Sequence, residues 1–190
     1  MEREILLTGI GGQGVQLAAR ILALAAMIEG REVMSLGTYG GTMRGGNTDS
    51  TVVVADAPIG SPPIVARSWS ALVIHPRYFG AVRAKLRPEA IVVFDESLAD
   101  GPLEAGDARP FGVDGNALSK QADAGRANSL VLLGAYCGLT GLVSLDALSA
   151  AMKEAVPPYR HDRLEANGRA LAIGFEALPA SGAPAWEIAA

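Results

Sequence analysis

Gly9, Gly11, Gly12 and Gly14 place four glycines in six positions, directly after the apolar run Ile5 to Thr8 and before the Ala- and Leu-rich run Gln16 to Ile28. A strand that passes through glycines into a helix offers backbone N–H groups to an anion. The first helical turn has no internal acceptor for them and carries partial positive charge. Gln13 adds a side-chain donor or acceptor beside that turn. The first candidate binding residues are therefore Gly11, Gly12, Gln13 and Gly14. The competing explanation, that the glycines only let strand and helix pack tightly, accounts for fewer than the four present.

A second cluster, Tyr39-Gly40-Gly41-Thr42-Met43-Arg44-Gly45-Gly46-Asn47, carries one charge, Arg44. A guanidinium on a glycine-rich loop can fork onto phosphate or carboxylate, which adds Arg44, Gly45 and Gly46 to the candidates. Arg44 can equally pair with an acid on a neighbouring subunit, cap a carbonyl or face solvent. Arg20, further along the first helix, reads as solvated.

Two familiar nucleotide chemistries fail on particular residues. Gly9-Ile10-Gly11-Gly12-Gln13-Gly14 fits G-x-G-x-x-G, but a dinucleotide site wants an acid about 20 positions on, at the tip of the second strand. That tip reads Ser35-Leu36-Gly37-Thr38, which disfavours NAD. A phosphate loop needs Lys-Ser or Lys-Thr where this chain has Val15-Gln16, so nucleoside triphosphate hydrolysis is excluded.

No catalytic set is apparent, and no catalytic or metal-binding residue is assigned. There is no G-x-S-x-G elbow. Cys137, the one cysteine, falls in an apolar helix and reads as core, which excludes an internal disulfide and a four-thiolate cluster held by one copy of the chain. His75, before Pro76, reads as closing a turn, and the two histidines, His75 and His161, lie far apart in sequence without a companion cysteine. Asp95-Glu96 is a carboxylate pair at a strand end, more often an exposed loop start than a functional site.

The elements that must position these residues follow a β/α alternation. Ile5 to Thr8 is apolar on both faces, as a covered central strand is. Leu17, Ile21, Leu24 and Ile28 repeat at helical spacing, and Gly30 stops the helix. Glu32 to Leu36 is expected to be a second strand completing a βαβ unit, with Gly37 to Asn47 a loop at the ligand edge near the first glycines. Ser50 to Val54, Ala71 to Ile74, Ala90 to Phe94 and Arg109 to Val113 read as further strands. Helices are expected at Arg77 to Leu86, Ala127 to Leu139, after the Ser144 cap, and at Arg163 to Leu178, with loops at Gly101 to Gly106 and Asp114-Gly115-Asn116. The expected fold is α/β and Rossmann-like, a mostly parallel open sheet with helices on both faces. Residues 1–178 form one domain and 179–190 a tail that frays unless Trp186 docks on a neighbour.

The 190 residues are 49% hydrophobic, enough for one core, and the net charge of −4 comes from 16 basic and 20 acidic residues mixed along the chain. That mixture gives no basic face for nucleic acid. No apolar run suits a membrane span or a secretory segment, so a cytoplasmic location is expected.

Taken together, Gly9-x-Gly11-Gly12-Gln13-Gly14-Val15, Tyr39-Gly40…Arg44-Gly45-Gly46, Asp56-x-Pro58-Ile59, Ala127-Asn128…Leu133-Gly134-Ala135 and Asn167-x-x-Ala170 resemble the gamma subunit of the 2-oxoacid:ferredoxin oxidoreductases. The resemblance runs from about residue 4 to 175. It implies a subunit of an oxidoreductase complex that oxidatively decarboxylates a 2-oxoacid to its acyl-CoA and passes two electrons to ferredoxin or a similar acceptor. It further implies that thiamine diphosphate with Mg2+ sits between alpha and beta partners, that iron–sulfur clusters lie in beta or a ferredoxin-like delta subunit, and that gamma is structural and shapes the coenzyme A side. Gly41-Thr42-Met43 departs from the acid common before the RGG stretch, and aryl substrates such as indolepyruvate or phenylglyoxylate are one home for such a chain. A free-standing NAD(P)-dependent oxidoreductase and a flavin- or nucleotide-binding regulatory module are the rival readings.

Overall fold

The computed structural model describes residues 1–39, 45–60, 62–180 and 184–186. Its centre is a six-stranded sheet in the order β2-β3-β1-β4-β5-β6. The strands are β1 (Glu2–Ile10), β2 (Glu32–Tyr39), β3 (Asn47–Ala55), β4 (Ser68–Val73), β5 (Leu86–Asp95) and β6 (Arg109–Val113). β1, β4, β5 and β6 pair in parallel, and β3 runs antiparallel to both β1 and β2. Among the described residues six α-helices accompany them: α1 (Val15–Ile28), α2 (Phe79–Arg83), α3 (Gly115–Gln121), α4 (Asn128–Thr140), α5 (Leu145–Ala155) and α6 (Leu164–Phe175).

The mostly parallel α/β architecture is as expected, but its left side is not. β2 does not pair with β1. It pairs antiparallel with β3, and β3 occupies the place beside β1, with Ile5 opposite Val52 and Leu7 opposite Ser50. β3 reads Thr51-Val-Val-Val-Ala55, and it is the strand flanked on both sides, so its β-branched residues are buried where Glu32 to Thr38 are mostly exposed. Gly37 and Thr38 continue β2 instead of opening the loop.

Two other differences are local. The expected helix over Arg77 to Leu86 is a 3-10 turn (Pro76–Tyr78) followed by the short α2, because Leu86 already enters β5. Asp114-Gly115-Asn116 is no loop: Asp114 caps α3, its carboxylate accepting from Ala117 N at 2.8 Å.

One face of the sheet carries most of the core. Ile5, Leu7, Val52, Val54, Ile91 and Val93 meet α1 and α4 there, with α5 packed on α1 and α6 on α4. α4 is apolar around its whole circumference, and eleven of its residues are buried between sheet and α6. Its Tyr136 hydroxyl, fully buried, is paired with Ser70 Oγ at 2.7 Å. The opposite face holds a smaller cluster in which Leu6, Val73, Val92 and Phe94 lie under α2. After residue 183 the chain returns to the body of the protein. Ala185 N donates to Thr140 O, Trp186 Nε1 donates to Leu142 O at 2.9 Å, and Arg31 stacks 3.9 Å from the Trp186 ring centroid.

Cys137 lies mid-α4 with no exposed surface, and burial, with Glu29 a lesser contributor, pushes its thiol far above the ordinary range. The thiolate is the reactive form, so the native protein is expected to resist a disulfide reagent at pH 8 and to release one thiol equivalent only in denaturant. Rapid labelling of the native chain would contradict this placement.

Candidate functional site

The carboxyl ends of β1 and β4 diverge into opposite halves of the sheet, since α1 leads from β1 toward β2 and β3 while β4 leads toward β5 and β6. Ligands of open α/β sheets occupy the crevice above such a point. Here the crevice, about 310 Å³, is lined by Gly12, Gln13, Ile74, Leu98, Asn116, Arg126 and Asn128. It adjoins a larger cleft of about 410 Å³ that shares Gly12, Gln13 and Arg126 with it and adds Gly14, Ser129, Arg160, Arg163 and Asn167.

The expected glycine residues stand at the junction of the two. Gly14 precedes α1 in the left-handed region at φ 87°, and a Cβ there would meet Ser129 of α4, so glycine is required both by conformation and by close approach. Gly11 is spent within the protein: its N–H donates to Gly46 O at 2.9 Å and its carbonyl accepts from Gly45 N. The two glycine loops are therefore tied side by side. Gln13 turns back, its Oε1 accepting from Ile10 N at 3.2 Å, which leaves Nε2 as its donor. Arg44 lies outside the described residues. Arg20 is exposed in a separate groove between α1 and β2.

What charges the cleft is a set that sequence reasoning missed. Arg126 precedes α4, and Arg160 and Arg163 lie on the 3-10 segment Pro158–Arg163, so residues far apart in sequence face the glycine loop across one cleft. All three are exposed, and among the described residues none of them forms an ion pair. The helix starts point the same way. α1 and α4, whose first turns line this cleft, have no side-chain cap, whereas α3 is capped by Asp114 and α5 by Ser144, which accepts from Ala147 N at 3.2 Å. Uncapped N–H groups and unpaired guanidinium groups facing one space make a site for a multiply charged anion.

His75 follows β4 and caps the 3-10 turn Pro76–Tyr78, its Nδ1 accepting from Arg77 N at 3.2 Å. Partial burial and the nearby Arg77 hold its pKa below the ordinary value, so it is neutral at pH 7. Asp95 is not an exposed loop start: it has no accessible surface. Among the described residues there is no group of three or more His, Cys, Asp or Glu placed to hold a metal, and no helix is long and apolar enough to cross a membrane.

This is an open α/β sheet with an arginine-lined cleft at its topological switch point. Residues 4–177 match the family described as pyruvate ferredoxin/flavodoxin oxidoreductase, and the chain belongs to it. It is 27% identical to the 2-oxoglutarate synthase subunit KorC of Methanocaldococcus jannaschii over 93% of this chain and 94% of that one. Its fold is like that of the gamma subunit of a keto/oxoacid ferredoxin oxidoreductase from Geobacter sulfurreducens, with a TM-score of 0.79, 28% identity, and coverage of 93% and 96% of the two chains. A 2-oxoglutarate:ferredoxin oxidoreductase from Magnetococcus marinus, with 2-oxoglutarate, coenzyme A and succinyl-CoA bound, contains the same fold. There the TM-score is 0.81 at 18% identity, over 96% of this chain and 32% of the other. In length and fold the chain is a gamma-type subunit of an oxidoreductase complex.

Proposed function

We propose that this chain shapes the coenzyme A side of a cytoplasmic 2-oxoacid:ferredoxin oxidoreductase and contributes no reacting group of its own. The carrying observation is the convergence of Arg126, Arg160 and Arg163 with the uncapped starts of α1 and α4 on one cleft, in a chain of this family. Coenzyme A carries a diphosphate and a further phosphate at one end and an uncharged, amide-bearing arm ending in a thiol at the other. In this reading the phosphates lie against the arginines and the N–H groups after Gly14. The arm follows the neighbouring crevice past Asn128 and past Gln13 and Asn116, whose remaining carboxamide N–H groups suit its carbonyls. Arg44, Gly45 and Gly46 are proposed to contribute to the same coenzyme A site.

The rest of the chemistry belongs to partner chains. Cys137 is buried and the described acids are scattered, so this donor set does not fit an iron–sulfur cluster or a Mg2+-diphosphate site. Thiamine diphosphate on alpha and beta partners would cleave the bond between C1 and C2 of the 2-oxoacid with loss of CO2. Two electrons would leave through iron–sulfur clusters, in beta or a delta subunit, to ferredoxin or another acceptor, and the acyl group would pass to the thiol. Whether the acid is aliphatic or aryl, such as indolepyruvate or phenylglyoxylate, is then selected on the partners. The NAD(P) alternative loses support at β3: the strand beside β1 runs antiparallel and has no carboxyl end at the ligand edge. Its Asp49 carboxylate there is already held by Thr8 Oγ1 at 2.6 Å and Asn47 Nδ2 at 2.7 Å.

The test is anaerobic isolation of the chain from its host. It is expected to come with thiamine-diphosphate- and iron–sulfur-bearing partners and to give CoA-dependent viologen reduction with a 2-oxoacid. The chain alone is expected to show none, and activity from the isolated chain would overturn the reading.

A further inference from the structure

Asp95 ends β5 fully buried, and every partner found for it among the described residues is a neutral donor. Oδ1 accepts from Ser97 N at 3.1 Å, Ser97 Oγ at 2.5 Å and Gly115 N at 3.2 Å, and Oδ2 accepts from Asn128 Nδ2 at 2.8 Å. A buried carboxylate without a cation is costly unless its lone pairs are used, and here they are.

Those bonds fasten three separate segments to one group: the turn after β5, the start of α3 and the first residue of α4. Each segment supplies a wall of the crevice, through Leu98, Asn116 and Asn128 respectively. The network extends outward. Asn128 Nδ2 also donates to Asn116 Oδ1 at 3.0 Å, and Asn128 Oδ1 accepts from Ser119 Oγ at 3.1 Å, which fixes the orientation of the Asn128 amide. Asn116 thereby keeps its own Nδ2 as a donor with no acceptor among the described residues, and it is exposed at the crevice. Gly115 is bound into the arrangement as well, since a Cβ there would meet the Asp95 carboxylate.

We propose that Asp95 is a positioning residue for the CoA-dependent step: through Asn128 and Gly115 it sets Asn116 and Asn128 where the uncharged arm of coenzyme A enters. This rests on the coenzyme A reading above. It assigns Asp95 no contact with the ligand and no proton transfer.

Asp95→Asn is nearly the same size but turns Oδ2 into an amide donor facing the Asn128 amide donor. In the assembled complex it is expected to raise KM for coenzyme A about tenfold, the scale of one well-placed hydrogen bond. KM for the 2-oxoacid and kcat at saturating coenzyme A are expected to stay within about twofold. Exchanging the pair, Asp95→Asn with Asn128→Asp, restores a donor facing an acceptor between the two positions but takes the Asn128 donor from Asn116 Oδ1, so KM for coenzyme A is expected to recover only in part. A merely structural role predicts instead a loss shared by kcat and by KM for both substrates.

Should the buried variant fail to assemble, Asn116→Ala on the exposed side of the network carries the test, with a rise of about threefold in KM for coenzyme A expected. An unchanged KM for coenzyme A in the single variants overturns the proposal. So does a rise shared equally with the 2-oxoacid. If Arg126→Ala with Arg160→Ala raises KM for coenzyme A while these variants do not, only the positioning role falls. If none of them moves it, the coenzyme A reading falls as well.

Discussion

Replacing Arg126 and Arg160 together with alanine is expected to raise KM for coenzyme A by roughly 10- to 100-fold in the assembled complex, with kcat little changed. The estimate takes a charge-assisted arginine–phosphate hydrogen bond at about tenfold each after allowance for solvent at exposed side chains. Both residues line the cleft below the glycine loop without a carboxylate partner among the described residues, so their removal leaves no buried charge behind and is not expected to unfold the chain. Because the interaction is between exposed charges, KM for coenzyme A is also expected to rise with ionic strength in the native complex, and less steeply in the double variant. Arg20→Ala serves as the control, since Arg20 lies in the groove between α1 and β2. An intact complex whose KM for coenzyme A ignores the loss of both arginines would remove the carrying observation of the proposed function.

That cleft was only half legible in the sequence, for physical reasons. The glycine loop announces itself because strand, glycines and helix are contiguous, and local order is what sequence pattern reports. Arg126, Arg160 and Arg163 are isolated basic residues on polar connections, and nothing local separates them from solvated ones. They become a set only when α4 and α6 bring the starts of their segments to one edge of the sheet. Helix starts gave only part of the sign: Asp114 and Ser144 cap α3 and α5, while Gly14 and Ala127 stand before α1 and α4, but α2 and α6 lack side-chain caps as well. Asp95 shows the same limit in reverse. Its neighbour Glu96 is exposed, and only the convergence of Ser97, Gly115 and Asn128 makes burial of the carboxylate tolerable.

On the left of the sheet the order of strands along the chain misled, because alternation of strand and helix favours a βαβ unit and says nothing about a hairpin inserted into it. Two signals weighed against the simple crossover. The run Thr51 to Ala55 is more β-branched than Glu32 to Leu36, as the more enclosed strand is, and the intervening segment is glycine-rich enough for a tight return.

Gly134→Ala is expected to destabilise the chain strongly, while Gly168→Ala, in α6, is expected to stabilise it. Intrinsic propensity favours alanine over glycine by about 1 kcal/mol in any helix interior, so the sign at each position is decided by what the new methyl group meets. At Gly168 it would lie 3.9 Å from the Met152 methyl, an ordinary contact, and the propensity gain stands. At Gly134 it would strike the Leu171 carbonyl oxygen. Gly138 and Gly174 are in the same position against the Phe175 and Val131 carbonyls, so α4 and α6 touch backbone to backbone along one crossing. A peptide carbonyl cannot rotate aside as a side chain can. The helices must move apart, and α4 is held on its other side by the sheet. Overpacking of this kind costs about 1–3 kcal/mol or more, and the rigidity of both partners puts it at the upper end, which exceeds the propensity gain. For a chain of this size the net loss corresponds to a fall in Tm of about 4–8 °C for Gly134→Ala, against a rise of about 2–4 °C for Gly168→Ala. The same separation would carry Ser129 and Asn128, at the start of α4, away from Asn167 on α6 and widen the cleft between them. Gly134→Ala is therefore expected to weaken coenzyme A binding even at temperatures where the complex remains folded. Equal shifts in Tm for the two variants, measured by calorimetry, would show that the crossing yields more easily than its backbone contacts imply.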